Sequence, residues 1–466
     1  MTARKKNLCL RCCYAALACT LTLGTACAHE TSDPFSNRLP ERYACGEINT
    51  DRALDLAGVV HNVLCNNPQT REVWANSRAQ AAQTGVSQAS YLPAISATGT
   101  GTQNTPGVTQ RTLGLTLSYL LYDFGARAAN LDNARQLLAS LNASRDSTVQ
   151  TVFLSAVLAY YQAQAARAAQ DAAAAAERAA QESFALANAR YLAGSATPAD
   201  MLTAQTAYSQ STLNRITAIG AMKIARGNLA SLLGLDAHVN ILLSEARPSL
   251  PVQDTGYAEL EQNITAMIEE ARHNRPDLKA AEATLRAAEA AADAARAAGK
   301  PTVSLNASGN QSSSAGINTH GSSLGVSMNV PLFSGYAPTY RIRAAEAQID
   351  SKKAQLERLR LQVALDVWTA CQNLITATRN LHATADLVGS AEQSERMALG
   401  RYRAGTGIML DVLNAQNSLY SANQQRIQAE FNWNISRATL AQAMGNLNEG
   451  VNPGDDAIYN TIKHEK

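Results

Sequence analysis

The chain has 466 residues, of which 46% are hydrophobic, 17% charged and only 5% aromatic, and its formal net charge is +2. Alanine-rich runs such as AQAARAAQDAAAAAERAA (163–180) argue against an ordinary globular core, because alanine favours helices but buries little area. We therefore expect long helices that pack closely side by side. The nearly neutral charge gives no support for a nucleic-acid partner.

The first 28 residues predict a secretory signal peptide. A basic start at 4–6 precedes a mostly apolar run, and Ala26-Cys27-Ala28 has the pattern of a cleavage site, so the mature chain would begin near His29. A lipid anchor on Cys27 is the alternative, which Gly24 weakens because it stands where a leucine-like residue is wanted. This segment contains four basic and no acidic residues, so its removal changes the net charge from +2 to −2.

The next segment, 29–66, contains two cysteines, Cys45 and Cys65, that would remain in the mature chain. In an oxidising compartment they could close a short loop as a disulfide. The alternative is two unpaired buried thiols. Cys371 lies in a helical pattern and is interpreted as a small core residue.

The rest of the chain is an internal repeat. The stretch RYLAGSATPADMLTAQ (190–205) returns as RYRAGTGIMLDVLNAQ (401–416), at an offset of 211 residues and without a gap. We divide the chain into a first repeat, 67–235, and a second repeat, 271–446. A connector, 236–270, joins them, and a tail, 447–466, follows.

Each repeat predicts the same order of elements. The first helix (68–91 and 277–298) is followed by a strand hairpin (93–122 and 301–332), because a proline ends each helix. A long helix follows (126–193 and 339–404), and then a return helix (198–233 and 409–444). Gly194 and Gly405 are expected in the tip turns between the long and return helices.

The hairpin strands alternate in character. In RTLGLTLSYLLYDFG (111–125), the side chains of Leu113, Leu115, Leu117 and Leu121 fall on one face, and small hydroxylated residues on the other. We expect the leucine face to meet lipid and the other to line water. The alternative is a β-sandwich packed on its own core. Four strands cannot close a barrel, but three copies supply twelve strands, an even number that can close.

These motifs resemble the TolC family of outer-membrane export channels. The resemblance rests on YRAGTGIMLDVLNAQNSLYSANQ followed by AMGNLNE, with NRPDLKAAEA before the second hairpin, and it covers about 50–450. It implies a mixed, mainly α fold, in which a trimeric twelve-stranded outer-membrane β-barrel continues into a long α-helical periplasmic barrel. It also implies a homotrimer in the outer-membrane lipid, with a periplasmic adaptor and an inner-membrane transporter as partners.

The resemblance also implies a periplasmic gate at the helix tips. Asp411 occupies the position of one ring of aspartates in that family, and Asn414 that of a second. Tyr402 and Asp200 match two partners in the links that close the gate. Gly407 stands where an arginine partner would be, which puts a fully latched closed state in doubt.

Elementary chemistry leaves alternatives at each gate position. Asp200 follows Thr197-Pro198-Ala199 and fits a capping box as well as a gate role. If Thr406 caps the second return helix, Asp411 lies near the fifth helical position, beyond capping reach. Three such carboxylates around an axis would repel one another and attract cations; the alternative for Asp411 is a solvated surface acid. Tyr402 fits plain packing as well as a gate link.

Nothing in the sequence points to catalysis. The histidines are scattered, without zinc-like spacing, and no nucleotide-binding or hydrolase motif is present, so we expect no enzyme activity, cofactor or metal. Three functions stay open: an exit duct, a non-conducting trimeric spacer and a soluble helical enzyme. The duct is favoured, with type I protein secretion preferred over small-molecule efflux, as an outer-membrane protein that extends into the periplasm.

Overall fold

The computed structural model of the chain describes residue 48 and residues 52–104, 107–244, 257–314 and 316–447. The predicted signal peptide (1–28), with the possible lipid anchor at Cys27, lies outside the described residues. Cys65 is disulfide-bonded, but its predicted partner Cys45 also lies outside them, so this pairing stays a prediction.

Within the described residues the chain forms eight helices and four strands. Their bounds are α1 (Leu56–Asn66), α2 (Pro68–Ala89), β1 (Ala94–Asn104), β2 (Val108–Tyr122), α3 (Ala126–Leu192), α4 (Pro198–Leu232), α5 (Tyr257–Asn274), α6 (Pro276–Ala297), β3 (Thr302–Ser314), β4 (Ile317–Asn329), α7 (Ala337–Arg403) and α8 (Met409–Ala443). No helix in this part of the chain combines the length and the apolar character needed to cross a bilayer.

The long helices of the two repeats are equal in length. α3 and α7 each have 67 residues, which at a rise of about 1.5 Å per residue gives roughly 100 Å. The return helices α4 and α8 each have 35 residues. Residues of the two repeats therefore correspond at the offset of 211 along the full length of both helix pairs.

The strands form one antiparallel sheet in the order β1-β2-β3-β4. The central pairing joins the hairpins of the two repeats, with Leu115 opposite Gly309 and Thr116 opposite Ser308. The register shifts between Leu120 and Tyr122, so Leu121 lies at a bulge near the end of β2. Within the second hairpin the alternation predicts strands at about 301–310 and 322–332, whereas β3 extends to Ser314 and β4 begins at Ile317, because the polar hairpin tip continues the ladder.

Away from the hairpin tips, the sheet has one apolar and one polar face. Directly paired residues share a face, and the register places Leu115 with Ala97, and Leu305 with Tyr119 and Val326. Of the four leucines expected to meet lipid, Leu113, Leu115 and Leu121 are exposed and Leu117 is partly covered. No helix in the described part of the chain covers this face, which is inconsistent with the β-sandwich alternative. The opposite face carries serine, threonine, asparagine and glycine.

Two helices lie where the sequence predicted no element. α1 falls at the end of segment 29–66, and α5 begins within the connector 236–270. Val59 and Val63 of α1 belong to a buried cluster with residues of α3, α4 and α8. Ile264 and Met267 of α5 belong to a second cluster, with α6, α7 and α8. Isolated helices of this length are marginal, so burial against the long helices stabilises them.

A buried arginine links the start of α6 to α7 in the second repeat. The guanidinium of Arg275, the N-cap residue of α6, pairs with Asp277 at 2.7 Å and with Asp366 of α7 at 2.9 Å. Burial alone would lower the pKa of Arg275, but the hydrogen bonds and charges of the two carboxylates outweigh it, and the pKa is raised. Gly445, at the end of α8, packs directly on the backbone of Arg275.

Candidate functional site

The candidate gate residues lie around two tight turns that join each long helix to its return helix. Gly194 and Gly405 adopt left-handed conformations, with φ of +72° and +78°. In both turns the second residue after the helix cap donates its N–H back into the last turn, from Ser195 to Arg190 and from Thr406 to Arg401. This is the Schellman pattern, in which glycine ends a helix without strain.

Tyr402 is buried at the end of α7. It belongs to a cluster with Ala187 and Ala204 of the first repeat and Met409 and Val412 of the second. The guanidinium of Arg190 lies over its ring, 4.5 Å from the centroid. The Tyr402 hydroxyl is buried and has no hydrogen-bond partner among the described residues. The tyrosine therefore packs the two tips together through its ring.

Asp200 is engaged at the start of α4. Its carboxylate accepts from the Thr197 backbone N–H at 3.2 Å and from the Thr197 hydroxyl at 2.8 Å. The Thr197 hydroxyl in turn accepts from the Asp200 N–H, which completes the capping box. Within the protomer Asp200 therefore makes a capping interaction and does not bond to Tyr402. A gate role for either residue stays a prediction.

Asp411 occupies a different place in its helix from the one expected. α8 begins at Met409 with Ile408 as its N-cap residue, so Asp411 is the third helical residue and not about the fifth. The condition that Thr406 caps this helix is not met, because Ile408 is the N-cap residue and the Thr406 hydroxyl donates to the Arg401 carbonyl. A carboxylate in the first turn is stabilised by the partial positive charge of the helix N-terminus.

The side chains of Asp411 and Asn414 are both exposed. Three residues apart, they lie on the same side of α8. Among the residues that the structure describes, the Asp411 carboxylate makes no hydrogen bond and no ion pair. It is therefore free to face water or an ion.

Gly407 sits in a crowded place. A Cβ built there would lie 3.1 Å from the Arg401 Cβ and 3.2 Å from the Tyr402 backbone nitrogen. Any side chain at 407, including the arginine expected from the resemblance, would require its neighbours to move. The departure from the family pattern therefore fits the local packing of this tip.

Sequence reasoning gave no role to Arg190. Besides stacking on Tyr402, its guanidinium donates to the Arg403 carbonyl at 3.0 Å, so it links the end of α3 to the end of α7. The signal was present, because an Arg-Tyr pair ends both long helices, at 190–191 and 401–402. The sequence does not show that Arg190 of the first repeat contacts Tyr402 and Arg403 of the second.

No group of three or more His, Cys, Asp or Glu residues within the described part of the chain is arranged to hold a metal ion. The buried clusters are made mainly of alanine, branched aliphatic and aromatic residues.

Known proteins match the chain over most of its length. Residues 59–235 and 267–446 match the sequence model of the family described as outer membrane efflux protein. Protein CyaE of Bordetella pertussis is 31% identical over 422 residues, which cover 87% of each chain. The outer membrane efflux protein BepC of Brucella suis is 24% identical and covers 88% of this chain and 90% of its own.

A solved structure has the same fold. The crystal structure of a membrane protein from Pseudomonas aeruginosa superposes with a TM-score of 0.73 at 26% identity, over 84% of this chain and 93% of that one. Long paired helices beside a sheet with one apolar and one polar face define the protomer of a trimeric outer-membrane channel. The fold class is mainly α, with four barrel strands per protomer continuous with a long periplasmic helical barrel. The chain belongs to the outer membrane efflux protein family, and the predicted TolC-family membership is confirmed. It is an outer-membrane export component that extends into the periplasm.

Proposed function

We propose that three copies of this chain form the exit duct of a tripartite export system, open to the outside through the barrel and gated at the helix tips. The observation that carries the proposal is the sheet. None of the described helices covers its apolar face, and its other face offers hydroxyl and amide groups. Such a sheet is stable in a bilayer only as part of a closed barrel around water.

The duct has no enzymatic role and takes its energy from partners. A periplasmic adaptor and an inner-membrane transporter would dock at the periplasmic end. The non-conducting spacer is disfavoured, because it would have no use for a sheet with a polar inner face. The half of α3 next to the tip also buries alanines, at Ala173, Ala180 and Ala187, where a coiled-coil stalk would use larger residues in heptads.

The cargo is proposed to be a protein exported by type I secretion. The polar face of the sheet offers small side chains such as Thr116, Ser308 and Ser323, with hydrogen bonds such as Ser308 to Ser323 at 2.8 Å. A hydrated, uncharged wall suits passage of an extended polypeptide, because it gives neither apolar patches nor fixed charges to hold it. Efflux of small toxic molecules is the second candidate, since BepC is named an efflux protein.

Asp411 is the proposed cation-attracting residue of the gate. Three exposed carboxylates brought near a threefold axis raise the local concentration of cations. The test is single-channel conductance of the purified trimer in planar bilayers, with reversal potentials measured in a salt gradient. Wild type should conduct with a preference for cations, and Asp411→Asn should keep the pore and lose most of that preference.

A matched variant changes the charge in the other direction. Asn414→Asp adds a carboxylate one turn away and should increase the cation preference. If both variants conduct with the wild-type reversal potential, the chain forms a pore but Asp411 is not its cation-attracting residue. If verified trimers never conduct, the spacer replaces the duct.

Cargo is tested in a host that lacks its own exit duct. The chain, co-expressed with a type I transporter and adaptor, should restore the transporter's protein substrate to the medium. Restored resistance to toxic small molecules, without secretion, would favour efflux instead.

A further inference from the structure

The two repeats meet along one junction inside the protomer. In the sheet and in the helices alike, this junction joins the same side of the first repeat to the same side of the second. β2 of the first repeat pairs with β3 of the second. α3 of the first repeat packs on α6 and on α8 of the second. Among the described residues the reverse contacts are lacking, because β4 does not pair with β1 and α7 does not pack along α4.

Equivalent residues of the repeats are accordingly buried on one side and exposed on the other. Leu413 of α8 is 6% exposed, whereas its counterpart Leu202 of α4 is 55% exposed. On the long helices, Val157 of α3 is fully buried, and its counterpart Trp368 of α7 is 51% exposed. The exposed faces of α4 and α7 are therefore built like the two halves of a junction that the protomer cannot close by itself.

The tips show the same difference. Tyr402 is 3% exposed beneath Arg190, whereas its counterpart Tyr191 is 38% exposed, and Arg401, the counterpart of Arg190, is exposed as well. Farther from the tip turns, the Gln416 side-chain amide donates to the Ser183 hydroxyl at 3.0 Å. The counterparts of this pair, Gln205 and Ser394, keep the same residue types and are both exposed.

We propose that the internal junction is repeated between copies, residue for residue. Arg401 of one copy stacks on Tyr191 of the next and donates to its Leu192 carbonyl, as Arg190 does to Tyr402 and Arg403. Ser394 of the first copy bonds to Gln205 of the second, as Ser183 does to Gln416. Three internal and three external Arg–Tyr pairs then hold the ring of tips together, without an arginine at 407.

This inference rests on the proposed homotrimer and names the contacts that build it. The occupant of the exposed faces is a second copy, because the internal junction is itself the template for the contact. Both partner residues of each pair are present in the chain at the offset of 211.

Cysteine cross-linking tests the pairing on the intact trimer in detergent. The double variant Gln205→Cys/Ser394→Cys should, on mild oxidation or with a short bis-maleimide, give covalent dimers and trimers on a denaturing gel. The matched control, Ser183→Cys/Gln416→Cys, should cross-link within a single chain and keep the mass of a monomer. Wild type reports the background from its own cysteines.

Co-expression of differently tagged single variants makes the assignment unambiguous. Gln205→Cys in one chain and Ser394→Cys in the other should form a covalent heterodimer that carries both tags. The proposal is overturned if the internal control cross-links but the external pair does not, while native mass still shows a trimer. Absence of any trimer, with absence of conductance, would instead count against the proposed function itself.

Discussion

The Arg190 guanidinium lies 4.5 Å from the centroid of the Tyr402 ring, so the end of the first repeat is held against the end of the second. The same guanidinium donates to the Arg403 carbonyl at 3.0 Å. A cation over an aromatic ring contributes about 0.5–1 kcal/mol when exposed and about 2 kcal/mol when desolvated. A contact of this size can hold the two tips together and can still be broken in the proposed opening of the gate.

The Tyr402 ring and hydroxyl should have separable effects. Tyr402→Phe keeps the ring and removes a buried hydroxyl that has no partner among the described residues, so we expect the thermal midpoint of the trimer to stay the same or rise slightly. Tyr402→Ala leaves a cavity and should cost about 3–5 kcal/mol, by analogy with buried Phe→Ala changes. A clear loss for Tyr402→Phe would show that the hydroxyl gains a partner in the assembled channel.

The two return helices should respond in opposite ways to a change of cap. Thr197→Ala removes the capping box of α4 and should destabilise the protein by about 1 kcal/mol. Ile408→Thr adds a hydroxyl at the uncapped start of α8, with Asp411 already at the third position, and should stabilise by a similar amount. Denaturant or thermal unfolding of the trimer measures both, and equal shifts of the same sign would contradict the assignment.

Two glycines with the same φ should differ in tolerance. Gly445 and Gly405 both have φ of +78°. A Cβ built at Gly445 would lie 2.9 Å from the Arg275 backbone nitrogen, whereas a Cβ built at Gly405 would have no neighbouring atom within 4 Å. Gly405→Ala should cost only the left-handed strain, about 1–2 kcal/mol. Gly445→Ala adds a backbone clash and should cost clearly more, measured as the difference in thermal midpoint. Equal losses would mean that α8 can shift away from Arg275.

Adjacent residues of β2 should tolerate charge differently. Leu115→Arg places a guanidinium on the apolar face and should cost about 2–4 kcal/mol near the bilayer midplane. Thr116→Arg places it on the polar face, beside Ser308, and should be tolerated while narrowing the pore. The yield of folded trimer in the outer membrane, with the conductance of Thr116→Arg, checks the pair. A low yield of both variants would contradict the assignment of the two faces.

Much of the fold follows from local patterns. The absence of proline and glycine over 126–192 predicts the long helix α3, because nothing interrupts its hydrogen-bond ladder. Alternation in β2 predicts its two faces, and the repeat extends both conclusions to the second half. Helix bounds lie within a few residues of those expected, since Pro68, Pro198 and Gly194 mark helix ends by their own backbone preferences.

The sequence by itself determined the repeat, the helix and strand pattern and the family, because these depend on periodicity and on motifs that are local in the chain. Tertiary structure decided what each candidate gate residue contacts. The burial of Tyr402 under Arg190 depends on packing between helices more than two hundred residues apart, which no local pattern encodes. The helices α1 and α5 were missed for the same reason, because only burial against α3 and α7 stabilises such short segments.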